Sequence, residues 1–150
     1  MQYSGTIVKL TRYAAKGAPG EIVESAQFID SLGMEGDYHA TGGQRQVSLL
    51  SLEDRLWMDA QAEPGLCFGR YRENILFDNI PPAVLAPGVR ITTGKAVLEI
   101  SDIGKHCFEA CYLYRNGQSC VLAGRGLFAK VIRGGIVRKG DGVEININYS

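Results

Sequence analysis

Three thiols and a histidine fall within one stretch of this chain, Ala96 to Gly135. Cys107, Cys111 and Cys120 stand four and nine residues apart, with His106 beside the first. A thiol works as nucleophile or metal ligand only as the thiolate, a form that nearby positive charge favours. Lys105, Arg115, Arg125, Lys130 and Arg133 are interleaved through the same stretch. The residue types therefore predict a thiol site in a basic surround.

What such a site does is open to four readings. A structural zinc ion needs four ligands, and His106, Cys107, Cys111 and Cys120 supply that number. Adjacent His106 and Cys107, however, are poorly placed to chelate one ion, and no pair of two-ligand knuckles is present. An iron–sulfur cluster would have to recruit the remote Cys67. Plain buried thiols account for one or two of the three more easily than for all. A sulfur-handling or cofactor-ligating cysteine fits Lys105 and Arg115 nearby. Spacing alone leaves these readings level.

The rest of the chain must position that stretch. Its 150 residues, 45% hydrophobic, predict one domain spanning 1–150 with a real core. Basic and acidic side chains balance at sixteen each, so bulk attraction to nucleic acid or to an anionic membrane is not expected. No apolar run approaches the roughly 20 residues that cross a bilayer. The start, MQYSGTIVKL, lacks the basic-then-apolar pattern of an export signal. Four cysteines without such a signal point to reduced thiols or ligands in the cytoplasm.

Nineteen glycines, nearly twice the usual share of about 7%, are scattered between short β-rich runs. That distribution predicts a mostly β chain with many tight turns. Expected strands are Gly5–Leu10, Ile22–Ile29, Arg45–Leu50, Ile75–Phe77, Val89–Thr92, Ala96–Ile100, Leu127–Ile132, Ile136–Val137 and the alternating Val143–Tyr149. Residues 12–21 read as a loop, and Leu32 to His39 has turn composition. Ser51 reads as the N-cap of a single helix, with Glu53 and Asp54 in its first turn. Leu52, Leu56, Trp57 and Ala60 share a face that should meet the core, and Pro64-Gly65 should stop the helix.

Two polar clusters flank strands. Arg45 stands at the mouth of one, and Arg72-Glu73-Asn74 at the mouth of another. Arginine offers a fork of donors that suits a phosphate or a planar heterocycle. The plain alternative is surface pairing with Glu35, Glu73 and Asp102. Glu35, Asp37 and His39 read as a solvated loop with a satisfied histidine.

Taken in order, these blocks resemble a known family. They are Gly36-Asp37-Tyr38-His39, Arg45-Gln46-Val47-Ser48-Leu49-Leu50, Arg72-Glu73-Asn74-Ile75, Gly94-x-Ala96-Val97-Leu98-Glu99-Ile100, a cysteine, Gly126-Leu127-Phe128-Ala129 and Gly140-Asp141. The chain is similar to the MOSC domain of molybdenum cofactor sulfurases and amidoxime-reducing enzymes, above all to its small stand-alone bacterial type. That resemblance implies a bent, closed or nearly closed β-barrel with a few short helices. It implies that a cysteine ligates molybdenum or carries sulfur as a persulfide in cofactor maturation or delivery. The family's key cysteine falls on Cys111, with Cys107 as the other candidate and Cys120 as a further metal-ligating thiol.

Arg45, Arg72, Asn74 and Lys105 would hold the pterin or the phosphate of molybdenum cofactor (molybdopterin). Two departures stand out: Ala110 replaces a common proline before the cysteine, and Leu122-Ala123 replaces Met-Pro after Cys120. No segment resembles a pyridoxal phosphate domain, so any sulfur would come from a separate donor such as a cysteine desulfurase. The implied partners are the cofactor, or the proteins that make and accept it. A zinc module built on His106, Cys107, Cys111 and Cys120 is the alternative, and a reductase component a third possibility.

Overall fold

Ile7 and Leu10 of the first strand both point into the core, although they are an odd number of residues apart. A regular strand would send them to opposite faces. A register shift between Ile7 and Lys9 supplies the extra residue that turns Leu10 inward. This bulge lets one long strand, β1 (Gln2–Tyr13), bend and serve three neighbours. The computed structural model describes residues 2–60, 72–103 and 126–146.

The remaining strands are β2 (Gly20–Val23), β3 (Ser25–Ile29), β4 (Gly33–Met34), β5 (Val47–Ser51), β6 (Ile75–Asp78), β7 (Arg90–Thr93), β8 (Ala96–Ile103), β9 (Leu127–Arg133), β10 (Gly135–Arg138) and β11 (Gly142–Asn146). Seven of them close a barrel in the order β11, β7, β8, β9, β5, β6, β1, with β1 pairing back to β11. Strand β2 extends the sheet beyond β1, and β10, β3 and β4 form a separate small sheet. The protein is mostly β, as expected. Among the described residues it holds one α-helix, α1 (Leu52–Asp59), and one short 3-10 turn, Pro82–Val84.

Every barrel pairing is antiparallel except β5 with β6. Parallel neighbours need a crossover, and α1 begins the one between them. The parallel pair also sets the N-terminal mouths of β5 and β6 at the same end of the barrel. Inside, Ile7, Leu49, Phe77, Ile91, Leu98 and Val143 are all at most 3% exposed. Alternation along β8 buries Ala96, Leu98 and Ile100 and leaves Val97 and Glu99 partly exposed. Gly94 makes the tight turn between β7 and β8 at φ +55°, and a Cβ there would lie 2.5 Å from the Ile136 carbonyl oxygen.

Several expectations are corrected. Arg12 and Tyr13 belong to β1, and Gly20 and Glu21 to β2, because the two strands pair through Tyr13 and Gly20. The run from Ile22 to Ile29 is two strands in two sheets, broken at Glu24. The segment around Met34 is not simple turn: β4 pairs with β3, and Met34 is fully buried. Helix α1 turns a different face inward than its apolar residues suggest. Asp54 and Met58, one turn apart, are the buried pair, whereas Leu56 is 58% exposed and Trp57 is half-buried. The helix start is capped as expected, with Asp54 N–H donating to Ser51 Oγ at 3.1 Å. The helix also ends at Asp59, ahead of the proline expected to stop it.

Candidate functional site

The space inside the barrel is lined by Ile7, Leu49, Ile75, Phe77, Leu98 and like residues, with no charged group among them. Polar chemistry gathers instead at the end where β1 finishes and β5 and β6 begin. Asn74, just ahead of β6, is fully buried there. Its Nδ2 donates to Thr11 O at 3.2 Å and to Asp37 Oδ1 at 2.9 Å. Its Oδ1 accepts from Ser48 N at 3.0 Å and from Ser48 Oγ at 3.2 Å. The side chain named as a cofactor contact thus spends both its amide hydrogens and its oxygen on tying β1, β5 and β6 together.

Asp37 is the next link. Tyr13 N donates to its Oδ1 at 2.8 Å. Its Oδ2 accepts from His39 N at 2.9 Å and His39 Nδ1 at 2.8 Å. Burial alone would push this carboxyl up. The donors from the His39 ring, Tyr13 N–H and His39 N–H outweigh it, and the net shift is below the usual carboxylate range. Asp37 is 6% exposed, so the solvated-loop reading holds for exposed Glu35 and fails for Asp37, whose donors stabilise a buried charge. An ionised carboxylate only accepts, so Nδ1 of His39 carries a proton. Nε2 is the other ring nitrogen, and it has no hydrogen-bond partner among the described residues. The Tyr38 ring lies 4.0 Å from that of His39.

Arg72 lays its guanidinium over the Tyr13 ring, with Cζ 4.3 Å from the centroid. Among the described residues no carboxylate pairs with it. Glu73, 5% exposed, is held by Arg55 of α1 through Nε at 3.2 Å and Nη2 at 2.5 Å. The Tyr13 phenol is pushed up by burial first and by Glu73 second, against Arg72 and Arg55, so it stays protonated.

Arg45 takes the pairing that the sequence offered as its plain alternative. Its Nε and Nη2 reach Asp102 Oδ2 at 2.8 and 2.6 Å, and Cζ sits 4.4 Å over the Phe128 ring. The Arg45 guanidinium holds the Asp102 carboxyl below its usual range against burial, with a lesser contribution from Ile103 N–H. Asp102 and Phe128 are partners across β8 and β9, where those strands meet residues 104–125. Gln46 anchors the intervening loop, donating to Gly43 O at 2.9 Å and accepting from Val131 N at 2.9 Å. Cys107, Cys111, Cys120, His106 and Lys105 lie outside the described residues, as does Cys67.

The structure therefore joins Asn74 to Asp37, and Arg72 to Tyr13, at one end. It places Arg45 at the base of the thiol-bearing stretch. The sequence reading missed Tyr13, Asp37 and the Arg55–Glu73 pair as members of this cluster. The block from Gly36 to His39 was the available signal.

The MOSC domain profile matches residues 36–144, most of the chain. The chain belongs to the MOSC domain family, which is linked to molybdenum cofactor sulfurases. Among solved structures, the YUAD protein from Bacillus subtilis superposes with a TM-score of 0.73 at 19% identity, covering 97% of each chain. YiiM from Escherichia coli gives 0.62 at 21% identity, covering all of this chain and 72% of its own. YiiM from Geobacillus stearothermophilus gives 0.64 at 13%, covering 95% of this chain and 75% of its own. At such identities these likenesses speak for the MOSC fold alone. No curated protein sequence matches the chain. No described helix is long and apolar enough to cross a membrane.

Proposed function

We propose that this MOSC domain binds molybdenum cofactor, or a sulfur-bearing precursor of it, and uses a cysteine as ligand or as sulfur carrier. The observation that carries the reading is Arg72, a guanidinium without a carboxylate partner among the described residues, stacked on an aromatic ring at the barrel's polar end. Membership of the family supplies the class of ligand. A cofactor with a phosphate needs a charged fork, and Arg72, resting on the Tyr13 ring, offers one. The residues present fit such a group in part, since the thiols fall outside the described residues. Molybdenum cofactor supplies metal and dithiolene sulfur when bound.

In this reading Cys111 is the first candidate for ligand or persulfide, Cys107 the second, and Cys120 an accessory thiol. Lys105 and Arg72 hold the anionic end. Arg45 contributes once it leaves Asp102, or else by steadying the base of the thiol stretch. Asn74 acts through Asp37 and Ser48, since its own hydrogen bonds are spent. Any sulfur arrives from a separate donor protein, and acceptor or biosynthetic proteins of the cofactor are the partners, in the cytoplasm. The test is alkylation trapping after incubation with a cysteine desulfurase and cysteine, with the persulfide mapped by mass spectrometry. Label on Cys111, with molybdenum retained by protein from a molybdenum-replete host, is expected. Label confined to Cys67 or Cys120 would sink the assignment.

A further inference from the structure

We infer that Ser48, buried in β5, is a positioning residue that sets the Arg72 guanidinium over the Tyr13 ring and so tunes its affinity for a phosphate monoester. The inference rests on reading Arg72 as the anion-binding group of the cofactor site, and adds what holds that group in place.

It starts from where the parallel ladder runs out. Strands β5 and β6 pair from Leu49 with Ile75 onward, and ahead of that register Asn74 N still donates to Ser48 O at 2.9 Å. Arg72 lies two residues further back, and no ladder bond among the described residues includes it. The Ser48 side chain takes over there, its Oγ donating to Arg72 O at 2.8 Å. That is the usual length of an O–H···O bond. Ser48 is 2% exposed, so bulk water does not compete for the bond.

Arginine carries large rotamer freedom, so a stacked guanidinium needs a fixed backbone as well as a face to rest on. Ser48 supplies the first and Tyr13 the second, with Arg72 Cζ 4.3 Å from the ring centroid. One network holds both parts of the stack. Asn74 Oδ1 accepts from Ser48 N at 3.0 Å, and Asn74 Nδ2 donates to Asp37 Oδ1 at 2.9 Å. That same oxygen accepts from Tyr13 N at 2.8 Å. Ser48, Asn74 and Asp37 thus tie the backbone under Arg72 to the backbone under Tyr13. Removing the Ser48 hydroxyl acts chiefly on Arg72. Asn74 N–H, which also reaches the Oγ at 3.0 Å, keeps Ser48 O, and Asn74 Oδ1 keeps Ser48 N. The Arg72 carbonyl is the group that loses its hydroxyl donor.

Two readouts on the full chain test this. In the free protein, the Tyr13 ring current should displace the Arg72 side-chain proton signals, assigned by their absence from Arg72→Ala. Ser48→Ala should return them most of the way to the ordinary arginine position. Sulfate, titrated at one pH and low ionic strength, is the probe for the second readout. Ser48→Ala should weaken its binding by about three- to tenfold. Ser48→Ala combined with Arg72→Ala should bind no more weakly than Arg72→Ala alone, because Ser48 acts through Arg72. Ser51→Ala, which removes the cap of α1 instead, should move neither readout. If Ser48→Ala fails to fold, Ser48→Cys keeps the size, weakens the donor and is read in the same way. Unmoved Arg72 signals in Ser48→Ala, additive losses in the double variant, or no sulfate binding by the wild type would overturn the inference. If Arg72→Ala loses sulfate while Ser48→Ala matches wild type, Ser48 is excluded and the cofactor reading stands. The expected pattern in a chain that takes up no molybdenum cofactor would leave Ser48 standing and remove that reading.

Discussion

Asn74 donates its amide to Asp37 Oδ1 at 2.9 Å, joining the residue ahead of β6 to a loop that also grips the end of β1. Both groups are buried, and the bond closes a network in which each polar atom has a partner. Removing one member leaves the others stranded away from water, where each unmet group costs about 1–3 kcal/mol. Asn74→Ala should therefore lower unfolding free energy by about 2–5 kcal/mol with an unchanged slope in urea, since Ser48 N and Asp37 both lose a partner. A loss under about 1 kcal/mol would mean that the network repairs itself with water.

How far the sequence foretells this depends on the kind of interaction. Strand periodicity and glycine placement are local, so β5, β6 and β9 are legible within a residue or two and β8 within three, and barrel closure follows from the family blocks. The bulge at β1 is not legible, since nothing in GTIVKL marks where the alternation slips. Arg45 and Arg72 look alike as arginines at strand mouths. Only the fold brings Asp102 to one and Tyr13 to the other, 57 residues away from Arg45 in the first case. Asp37 reads as loop because its donors come from β1 and from the residue ahead of β6. The face of α1 is misread because the helix buries Asp54 and Met58, whereas its apolar pattern favours Leu56 and Trp57.

The cap of α1 gives a second prediction. Ser51 Oγ accepts from Asp54 N at 3.1 Å, inside a buried junction between β5 and α1. Ser51→Ala should cost about 1 kcal/mol, and Ser51→Asp should recover part of it. Chemical denaturation resolves a difference of this size. Equal stability of Ser51→Ala and wild type would show that the helix is fixed by packing alone.

Asp37 should dominate part of the acid response. Its folded pKa lies below that of the unfolded chain, so folding favours the ionised form. The stabilisation is fully present above the unfolded carboxylate value near pH 4, and it is lost as pH falls through the lower folded value. Melting temperatures from pH 6 down to pH 3 should show Asp37→Asn well below wild type at the upper end, with the gap narrowing toward the lower end. Parallel curves would contradict an ionised Asp37 in the folded protein.

The Arg45–Asp102 pair should behave differently. Both side chains are substantially exposed, so the pair should contribute no more than about 1 kcal/mol, and less in high salt. Arg45→Ala should leave stability within that limit while the Asp102 carboxyl, followed by NMR, moves up toward its ordinary range. The shift should come from losing the guanidinium's hydrogen bonds, the largest of the influences that hold Asp102 down. An unmoved Asp102 would mean that Arg45 does not set its charge state.

Arg72 separates binding from folding most cleanly. Its guanidinium rests on the Tyr13 ring, a contact that contributes about 0.5–1 kcal/mol where water still reaches it. Its backbone carbonyl, which accepts from Ser48 Oγ at 2.8 Å, is untouched by a side-chain change. Arg72→Ala should therefore lower the melting temperature little. If the fork meets the phosphate of molybdenum cofactor, the same change should weaken cofactor binding by about 1–3 kcal/mol, the usual size for hydrogen bonds to a charged group. Tyr13→Phe, which keeps the ring and drops only a long 3.5 Å bond to Glu73 O, should leave affinity close to wild type. Tyr13→Leu should fall between the two, because the guanidinium loses the surface that holds it in place. Titration of each variant with the cofactor, followed by tryptophan or pterin fluorescence, measures all three. If Arg72→Ala binds as tightly as wild type, the anionic end of the cofactor lies elsewhere and Tyr13 supports only the fold.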